Sequence, residues 1–278
     1  MTRPADLEML AERSLFIRLE TLRLSRIAGA GHYSGTFSAA ELLATLFYYQ
    51  LRLDPSRPAW PDRDRFVLSK GHAAIGLYPV LADLGYFEPS LLDDYTRLGS
   101  PFGDHPDMRK INGIDFSSGS LGHGLSIGVG MALGARVQGR SFRSYVMVGD
   151  GELAEGQVWE AIMSANHFGL GSLVCIVDRN RLGIDGPTEE VMTAEPIGDR
   201  FAAFGWDVVR IDGHDLAAIV AAFDRLEGQP DKPHVIIADT VKGKGVARME
   251  GNVHWHVGNL NAQDYAAVEA ELREQARR

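Results

Sequence analysis

The chain has 278 residues, of which 45% are hydrophobic and 23% are charged, as in a globular protein with a sizeable core. Its formal net charge of −9 argues against a dedicated nucleic-acid binder, because binding a polyanion calls for a basic surface. No apolar run approaches the roughly 18 residues that span a bilayer, and the N-terminus lacks an apolar signal core. The single cysteine, Cys175, lies in an apolar run, where we expect a small core residue. We therefore expect a cytoplasmic protein with no nucleic-acid or membrane partner.

The first third of the chain predicts two helices joined by a glycine-rich loop. Apolar residues at helical spacing indicate an amphipathic helix over residues 7–27. Ser38 and Glu41 have the spacing of a capping box, so we expect them to begin a buried helix over residues 42–49. His32 lies in the intervening loop, where a lone histidine is more often structural or solvated than functional.

A short apolar segment at residues 66–68 predicts a strand, and Lys70 and His72 follow it directly. A strand, a glycine turn and a helix in this order can bind an anion, although the same pattern also fits a plain turn with an exposed lysine. Residues 90–98 predict a further capped helix, and residues 99–114 predict a loop that contains His105.

The segment 125–135 predicts a helix that is unusually rich in glycine and alanine, and it follows the small-residue loop 117–124. Each interior glycine costs about 0.5–1 kcal/mol relative to alanine. We therefore expect close backbone packing or a nearby ligand to compensate for that cost.

Two runs, residues 144–156 and 173–182, each begin with an apolar segment and continue into Gly, Asp or Asn. Such runs are typical of buried parallel strands that end in functional loops. The Asp150 carboxylate and the Asn180 amide oxygen suit a hard cation such as Mg²⁺, although two turns without a ligand would look the same.

The rest of the chain repeats the alternation of strand and helix, which indicates a parallel sheet with right-handed crossovers. The predicted elements are helices at 157–168 and 215–226, strands at 206–211 and 234–241, and a charged tail helix from about residue 263 to the end. The fold class is therefore α/β, a doubly wound parallel sheet flanked by helices, with residues 1–278 forming one domain that ends in a helical tail.

Ligands of open parallel sheets bind at the carboxyl ends of the strands. Four turns follow predicted strands and should share that edge: residues 69–72, 149–152, 180–182 and 242–245. Their cation-binding pair, lysines and histidines together predict a site for a diphosphate and a metal, with proton-transfer groups nearby.

Over nearly its whole length the sequence resembles the thiamine-diphosphate-binding N-terminal half of transketolases. The Gly149-Asp-Gly151 motif with the downstream Asn180 is shared by many thiamine-diphosphate enzymes. The stretches Ser69-Lys-Gly-His-Ala73 and Gly119-Ser-Leu-Gly122 point to transketolases in particular. Further matching segments are residues 31–35, 63–68, 178–182, 184–186, 242–245 and 255–256.

The resemblance implies the cofactor thiamine diphosphate, held with Mg²⁺, for which Ca²⁺ and Mn²⁺ are alternatives. It implies metal ligation by Asp150, Asn180 and the Leu182 carbonyl. The implied cofactor-binding residues are Lys70, His72, Gly119, Ser120, Leu121, Gly151, Glu152, Asn180, Lys242 and His256. The implied catalytic residues are His32, His72, His105 and His256 around the reacting carbon, and Glu155, which couples two cofactor sites across a dimer.

In that family a two-carbon ketol unit passes from a ketose phosphate to an aldose. A full-length transketolase continues into a pyrimidine-binding domain and a C-terminal domain, and neither has a counterpart in this sequence. We therefore expect a split transketolase that is active only with a C-terminal subunit, in an α2β2 assembly acting on sugar phosphates. The sequence departs from the family at Ser34, Thr36, His123 and Val257, which leaves an atypical substrate open.

Two other functions stay open from sequence. One is a different thiamine-diphosphate enzyme subunit, such as the alpha chain of a 2-oxo acid dehydrogenase or an acyloin synthase, which would share Asp150 and Asn180. The other is a non-catalytic scaffold subunit, against which the intact metal pair and the histidines argue.

Overall fold

The sheet is parallel throughout, as predicted. The computed structural model describes residues 5–228 and 231–275. Within these ranges five strands pair in the order β1-β2-β3-β5-β4. They are β1 (Arg65–Leu68), β2 (Ser144–Gly149), β3 (Leu173–Arg179), β4 (Asp207–Asp212) and β5 (His234–Asp239).

Helices precede, connect and follow the strands. In the first half of the chain they are α1 (Leu7–Ala28), α2 (Tyr33–Phe37), α3 (Ala40–Thr45), α4 (Ala74–Asp83) and α5 (His123–Val137). In the second half they are α6 (Gly156–His167), α7 (Thr188–Val191), α8 (Ile197–Ala203), α9 (Leu216–Asp224) and α10 (Ala262–Gln275). No helix in the described ranges is both long and apolar enough to cross a membrane.

Both faces of the sheet are buried, which confirms the doubly wound fold. Val174 and Ile176 of β3 pack into a core with α1, α3, α4 and α9. Their neighbours Cys175 and Val177 point to the opposite face and pack with α5, α6 and α8. Cys175 is fully buried, and burial raises the pKa of its thiol, so it is the small core residue expected from the sequence.

The predicted tail helix is α10, and its residues beyond Gln275 lie outside the described part of the chain. Val268 and Leu272 of α10 are buried in a third cluster with Tyr33 and Phe37 of α2. The hydroxyl oxygens of Tyr33 and Tyr265 lie 3.1 Å apart. The tail therefore packs against the segment that carries His32.

The prediction of a capping box at residues 38–41 is wrong. Helix α3 begins at Ala40 without a side-chain cap. The Ser38 hydroxyl instead donates to Asp178 over 2.7 Å, and Glu41 accepts from Arg18 over 2.7 Å and pairs with His214. Both side chains bind partners that are distant in sequence, and neither caps the helix.

The prediction of a helix at residues 90–98 is also wrong, because only Pro89–Asp94 is helical and forms a short 3-10 helix. Thr96 has a φ of 60°, in the left-handed region that cannot continue a right-handed helix. The backbone N–H of Thr96 donates to the carbonyl of Phe102 over 2.8 Å, which folds this segment towards the loop of residues 99–114.

The glycines of α5 differ between its two faces. A Cβ on Gly124 would lie 2.3 Å from Ser69 Oγ, and a Cβ on Gly128 would lie 2.4 Å from Val146 Cγ2. A Cβ on Gly130 would meet nothing within 4 Å. Close packing therefore compensates for the inward glycines, as expected, and draws the start of α5 against the turn after β1.

Candidate active site

The four turns predicted to share the carboxyl edge of the sheet line one cavity there, with a volume of about 370 Å³. The turns follow β1, β2, β3 and β5. Predicted site residues that line the cavity are His32, Lys70, His72, His105, Gly119, Leu121, Asp150, Gly151, Glu152, Asn180, Leu182, Lys242 and His256. Ser120 and Glu155 are exposed and do not line it.

Lys70 lines the cavity and belongs to a polar network, called the inner wall below, that lies behind it and is formed with Asp178, Ser38 and Thr240. The Lys70 ammonium pairs with the Asp178 carboxylate and donates to the Gly35 carbonyl over 2.7 Å. Asp178 also accepts from the hydroxyls of Ser38 and Thr240. Burial raises the pKa of Asp178, but the charge of Lys70 and these hydrogen bonds lower it more, so the carboxyl is ionised.

The predicted metal ligands lie side by side after β2 and β3. Asp150 accepts from the backbone N–H of Gly151 over 2.9 Å and of Arg181 over 2.6 Å. In the described residues no cationic side chain pairs with Asp150. Burial, and then the charge of Asp178, raises the pKa of Asp150 to about 6. A bound cation would relieve this buried negative charge.

Lys242 lies next to these ligands and is bound mainly through neutral groups. Its ammonium donates to the carbonyls of Leu182 and Gly183 over 2.7 and 2.9 Å and to His256 Nδ1 over 2.8 Å. Burial, and then the charge of Lys70, lowers the pKa of Lys242 to about 8. No carboxylate forms an ion pair with Lys242 in the described ranges, so its charge is available to an anion.

Three histidine rings meet at the cavity. The His72 ring centroid lies 5.3 Å from that of His32 and 5.2 Å from that of His256, and the latter two lie 5.6 Å apart. Burial, and then the charge of Lys70, lowers the pKa of His72. Burial, and then the charge of Lys242, lowers the pKa of His256 to about 3. His72 and His256 are therefore neutral near pH 7.

Glu152 lines the cavity, but its carboxylate binds the surrounding chain. It accepts from the Ser69 hydroxyl, from the Gly122 N–H over 2.8 Å and from the Gly149 N–H over 3.2 Å. Burial raises its pKa. These contacts tie together the turns after β1 and β2 and the start of α5.

The rim of the cavity, defined by Leu121, Ile184, Val191 and Met192, is apolar and solvent-exposed. These four side chains are between 37% and 63% exposed. Large apolar side chains grouped around a cavity mark a surface that binds a ligand or another protein.

Comparisons with known proteins give the family of this chain. Residues 15–275 match the family described as transketolase, thiamine diphosphate binding domain. The chain belongs to the transketolase family. It is 42% identical over 247 residues to one subunit of the apulose-4-phosphate transketolase of Phocaeicola vulgatus, covering 89% of this chain and 88% of the relative. It is also 42% identical over 259 residues to one subunit of the 6-deoxy-6-sulfo-D-fructose transketolase of a Clostridium species, covering 93% and 94%.

Solved transketolases share the fold of this chain. A transketolase variant from Pichia stipitis superposes with a TM-score of 0.89 at 31% identity, over 98% of this chain but 41% of the solved one. The Campylobacter jejuni transketolase gives a TM-score of 0.89 at 30% identity, over 98% and 43%. The chain therefore corresponds to less than half of these solved transketolases and to nearly all of the two relatives described above.

Positions where the sequence departs from the transketolase pattern do not line the cavity, although Ser34 and Thr36 flank Gly35, which does. Ser34 and Thr36 are buried: the Ser34 hydroxyl donates to the Trp255 carbonyl over 2.8 Å, and that of Thr36 to the His32 carbonyl over 3.0 Å. His123 and Val257 are exposed. The family resemblance predicted most of the residues that the structure brings to this cavity, but it assigned no role to Asp178, an acid near the end of an otherwise apolar strand.

Proposed function

We propose that this chain is the thiamine-diphosphate-binding subunit of a two-chain transketolase. With its partner it would transfer a two-carbon ketol unit from a ketose phosphate to an aldose. The observation that carries the proposal is the meeting of Asp150, Asn180, Lys242 and neutral histidines at one cavity. An oxygen-ligated cation, a diphosphate and a hydroxyl-bearing substrate would each find suitable groups there.

A magnesium ion would suit the oxygen atoms that follow β2 and β3. Mg²⁺ prefers six oxygen ligands and usually shares them with phosphate groups and water. The chain offers the Asp150 carboxylate, the Asn180 amide oxygen and the Leu182 carbonyl, which the Lys242 ammonium would release on turning to the diphosphate. Among the described residues no group of three or more His, Cys, Asp or Glu is arranged to hold a metal. The proposed ion therefore depends on oxygens from the cofactor, and Ca²⁺ or Mn²⁺ could replace it.

The two lysines would contribute differently to holding a diphosphate. Lys70 is already neutralised by Asp178, so it would mainly fix the shape of the inner wall. Lys242 is bound by two carbonyls and one imidazole, so its charge would go to the diphosphate. The Gly151 N–H is held by Asp150 and would approach the same anion once a cation engages that carboxylate.

When bound, thiamine diphosphate supplies the carbanion chemistry, and the chain supplies placement and proton transfer. His72 and His256 are neutral near pH 7, so each can donate one hydrogen bond and accept another. Such groups can orient sugar hydroxyls without adding charge beside the lysines. Gly119 and Leu121 line the same cavity and would lie against the cofactor rings.

We propose a partner chain that carries the pyrimidine-binding and C-terminal domains, in an α2β2 assembly in the cytoplasm. Two relatives that this chain covers nearly end to end are named transketolase subunits. Glu155 is exposed, as a residue that couples sites across an interface should be, and the apolar rim would be covered by the partner.

Calorimetric titration of thiamine diphosphate with Mg²⁺ into the co-purified complex tests the proposal. We expect saturable, Mg²⁺-dependent binding that Asp150→Ala weakens by more than the roughly 10- to 100-fold typical of an outer-shell substitution. Asp93→Asn, at an exposed carboxylate that does not line the cavity, serves as the control.

Ketol transfer should require both chains. A screen of ketose phosphate donors with the complex should give cofactor-dependent turnover, whereas this chain alone with thiamine diphosphate and Mg²⁺ should give none. Turnover by the isolated chain, or full activity of the complex carrying Asp150→Ala, would refute the two-chain proposal or the metal site, respectively.

A further inference from the structure

A carboxylate that the transketolase resemblance did not single out lies beside the cavity histidines. Asp104 Oδ1 is 3.2 Å from His32 Nδ1. The histidine side chain is 16% exposed and the aspartate 43% exposed. No other hydrogen bond reaches the His32 ring within the described ranges, so Asp104 is the group that orients it.

The protonation of Asp104 determines which nitrogen of His32 carries hydrogen. Burial raises the pKa of Asp104, but the hydrogen bond and charge of His32 lower it more, so the carboxyl is ionised at neutral pH. An ionised carboxylate only accepts hydrogen bonds. Nδ1 of His32 must therefore carry the hydrogen, and in the neutral ring Nε2 is left as an acceptor.

The opposite assignment holds for His256. Its Nδ1 accepts a hydrogen bond from the Lys242 ammonium, which can only donate. Nε2 of neutral His256 must therefore carry the hydrogen. Two imidazoles whose centroids lie 5.6 Å apart thus have opposite tautomers, one leaving an acceptor and the other a donor for a ligand.

We propose that Asp104 is a positioning residue that holds His32 as its Nδ1–H tautomer, so that His32 Nε2 accepts a hydrogen bond from a substrate hydroxyl while His256 Nε2–H donates one. The part concerning substrate rests on the proposed function. The tautomer of His32 does not, because it follows from the contact with Asp104 alone.

The tautomer is measured first, by nitrogen-15 NMR of the histidine rings in the full-length chain near pH 7.5, with His32→Gln assigning the signal. We expect His32 in the Nδ1–H form in the unaltered chain and a shift towards Nε2–H in Asp104→Leu. Asp104→Asn should keep Nδ1–H, because the Asn Oδ1 can still accept. Asp93→Asn is the control. An Nε2–H signal in the unaltered chain, or no shift in Asp104→Leu, overturns the proposal.

Turnover of the complex is measured second. Asp104→Leu should lower kcat by roughly 10- to 100-fold, a fraction of what a proton-transfer group contributes, with KM changed less than about threefold. Asp104→Asn should recover part of kcat. Unchanged kcat, or a loss confined to KM, overturns the role in positioning. If the unaltered complex shows no ketol transfer, the proposed function fails, while the NMR result still decides the tautomer.

Discussion

The inner wall and the rim differ in burial and in polarity. In the inner wall, Lys70 and Asp178 are almost completely buried, and hydroxyls and a backbone carbonyl bind both charges. On the rim, Ile184 and Met192 are more than half exposed. The contrast indicates that this chain preorganises by itself the end where we propose that the diphosphate binds, whereas the open end depends on what covers it.

The largest expected effect comes from removing one charge of the inner wall. Asp178→Ala would leave the Lys70 ammonium buried without a counter-charge, which should lower the free energy of unfolding by about 3–5 kcal/mol. Equilibrium denaturation of the full chain measures this. Asp94→Ala removes the partner of Arg97 in an exposed ion pair and should cost at most about 1 kcal/mol.

A double variant shows whether the pair acts as a unit. Lys70→Met with Asp178→Leu removes both charges, so it should be more stable than Asp178→Ala even though Ser38 and Thr240 lose an acceptor. If Asp178→Ala costs no more than Asp94→Ala, the inner wall is not the preorganised element that its contacts indicate.

Glu41, which pairs with Arg18 and His214, should make the free energy of unfolding depend on pH. Burial raises the pKa of Glu41, but the charge of Arg18 and hydrogen bonds from His214 and Arg18 outweigh it and leave it at about 2. His214 in turn accepts the N–H of Val241, which precedes Lys242. A glutamate in the unfolded chain titrates near pH 4.3, so Glu41 contributes about 3 kcal/mol that is fully present above that pH.

This stabilisation should disappear as the pH falls from about 4.3 through about 2, because the pKa is lower in the folded chain. Glu41→Gln should therefore flatten the pH dependence of the unfolding free energy over that interval. Glu269→Gln, at a carboxylate that pairs with Arg273 on the surface, should leave the slope nearly unchanged. Equal slopes for both variants would contradict the role assigned to Glu41.

The sequence predicted the strands and the shared edge of their turns because apolar runs that end in Gly, Asp or Asn are local signals. The family motifs then brought Asp150, Asn180 and Lys242 to one site. Sequence reasoning failed at residues 38–41, where the serine and glutamate fit a local capping pattern. Their actual partners, Asp178 and His214, are 140 and 173 positions away in the chain.

The role of Asp104 was not predicted, because its partner is also distant in the chain. Nothing in a loop between Gly103 and His105 indicates that its carboxylate meets His32, 72 residues earlier. The meeting depends on the way residues 99–114 fold back over α4, where the Tyr78 hydroxyl donates to the Gly103 carbonyl over 2.9 Å. Pairings of this kind follow from packing between elements, which the local pattern does not encode.

The smallest effect on stability is expected at the rim. Ile184→Ser and Met192→Ser replace exposed side chains, so the free energy of unfolding should change by less than about 0.5 kcal/mol. If the partner chain covers the rim, the same variants should weaken its association roughly tenfold or more, because each removes apolar area from the interface. Leu98→Ser, at a fully exposed leucine outside the cavity, should change neither quantity. Association unaffected by the rim variants would mean that the partner does not cover the rim, and a large loss of stability would mean that the rim belongs to the folded core after all.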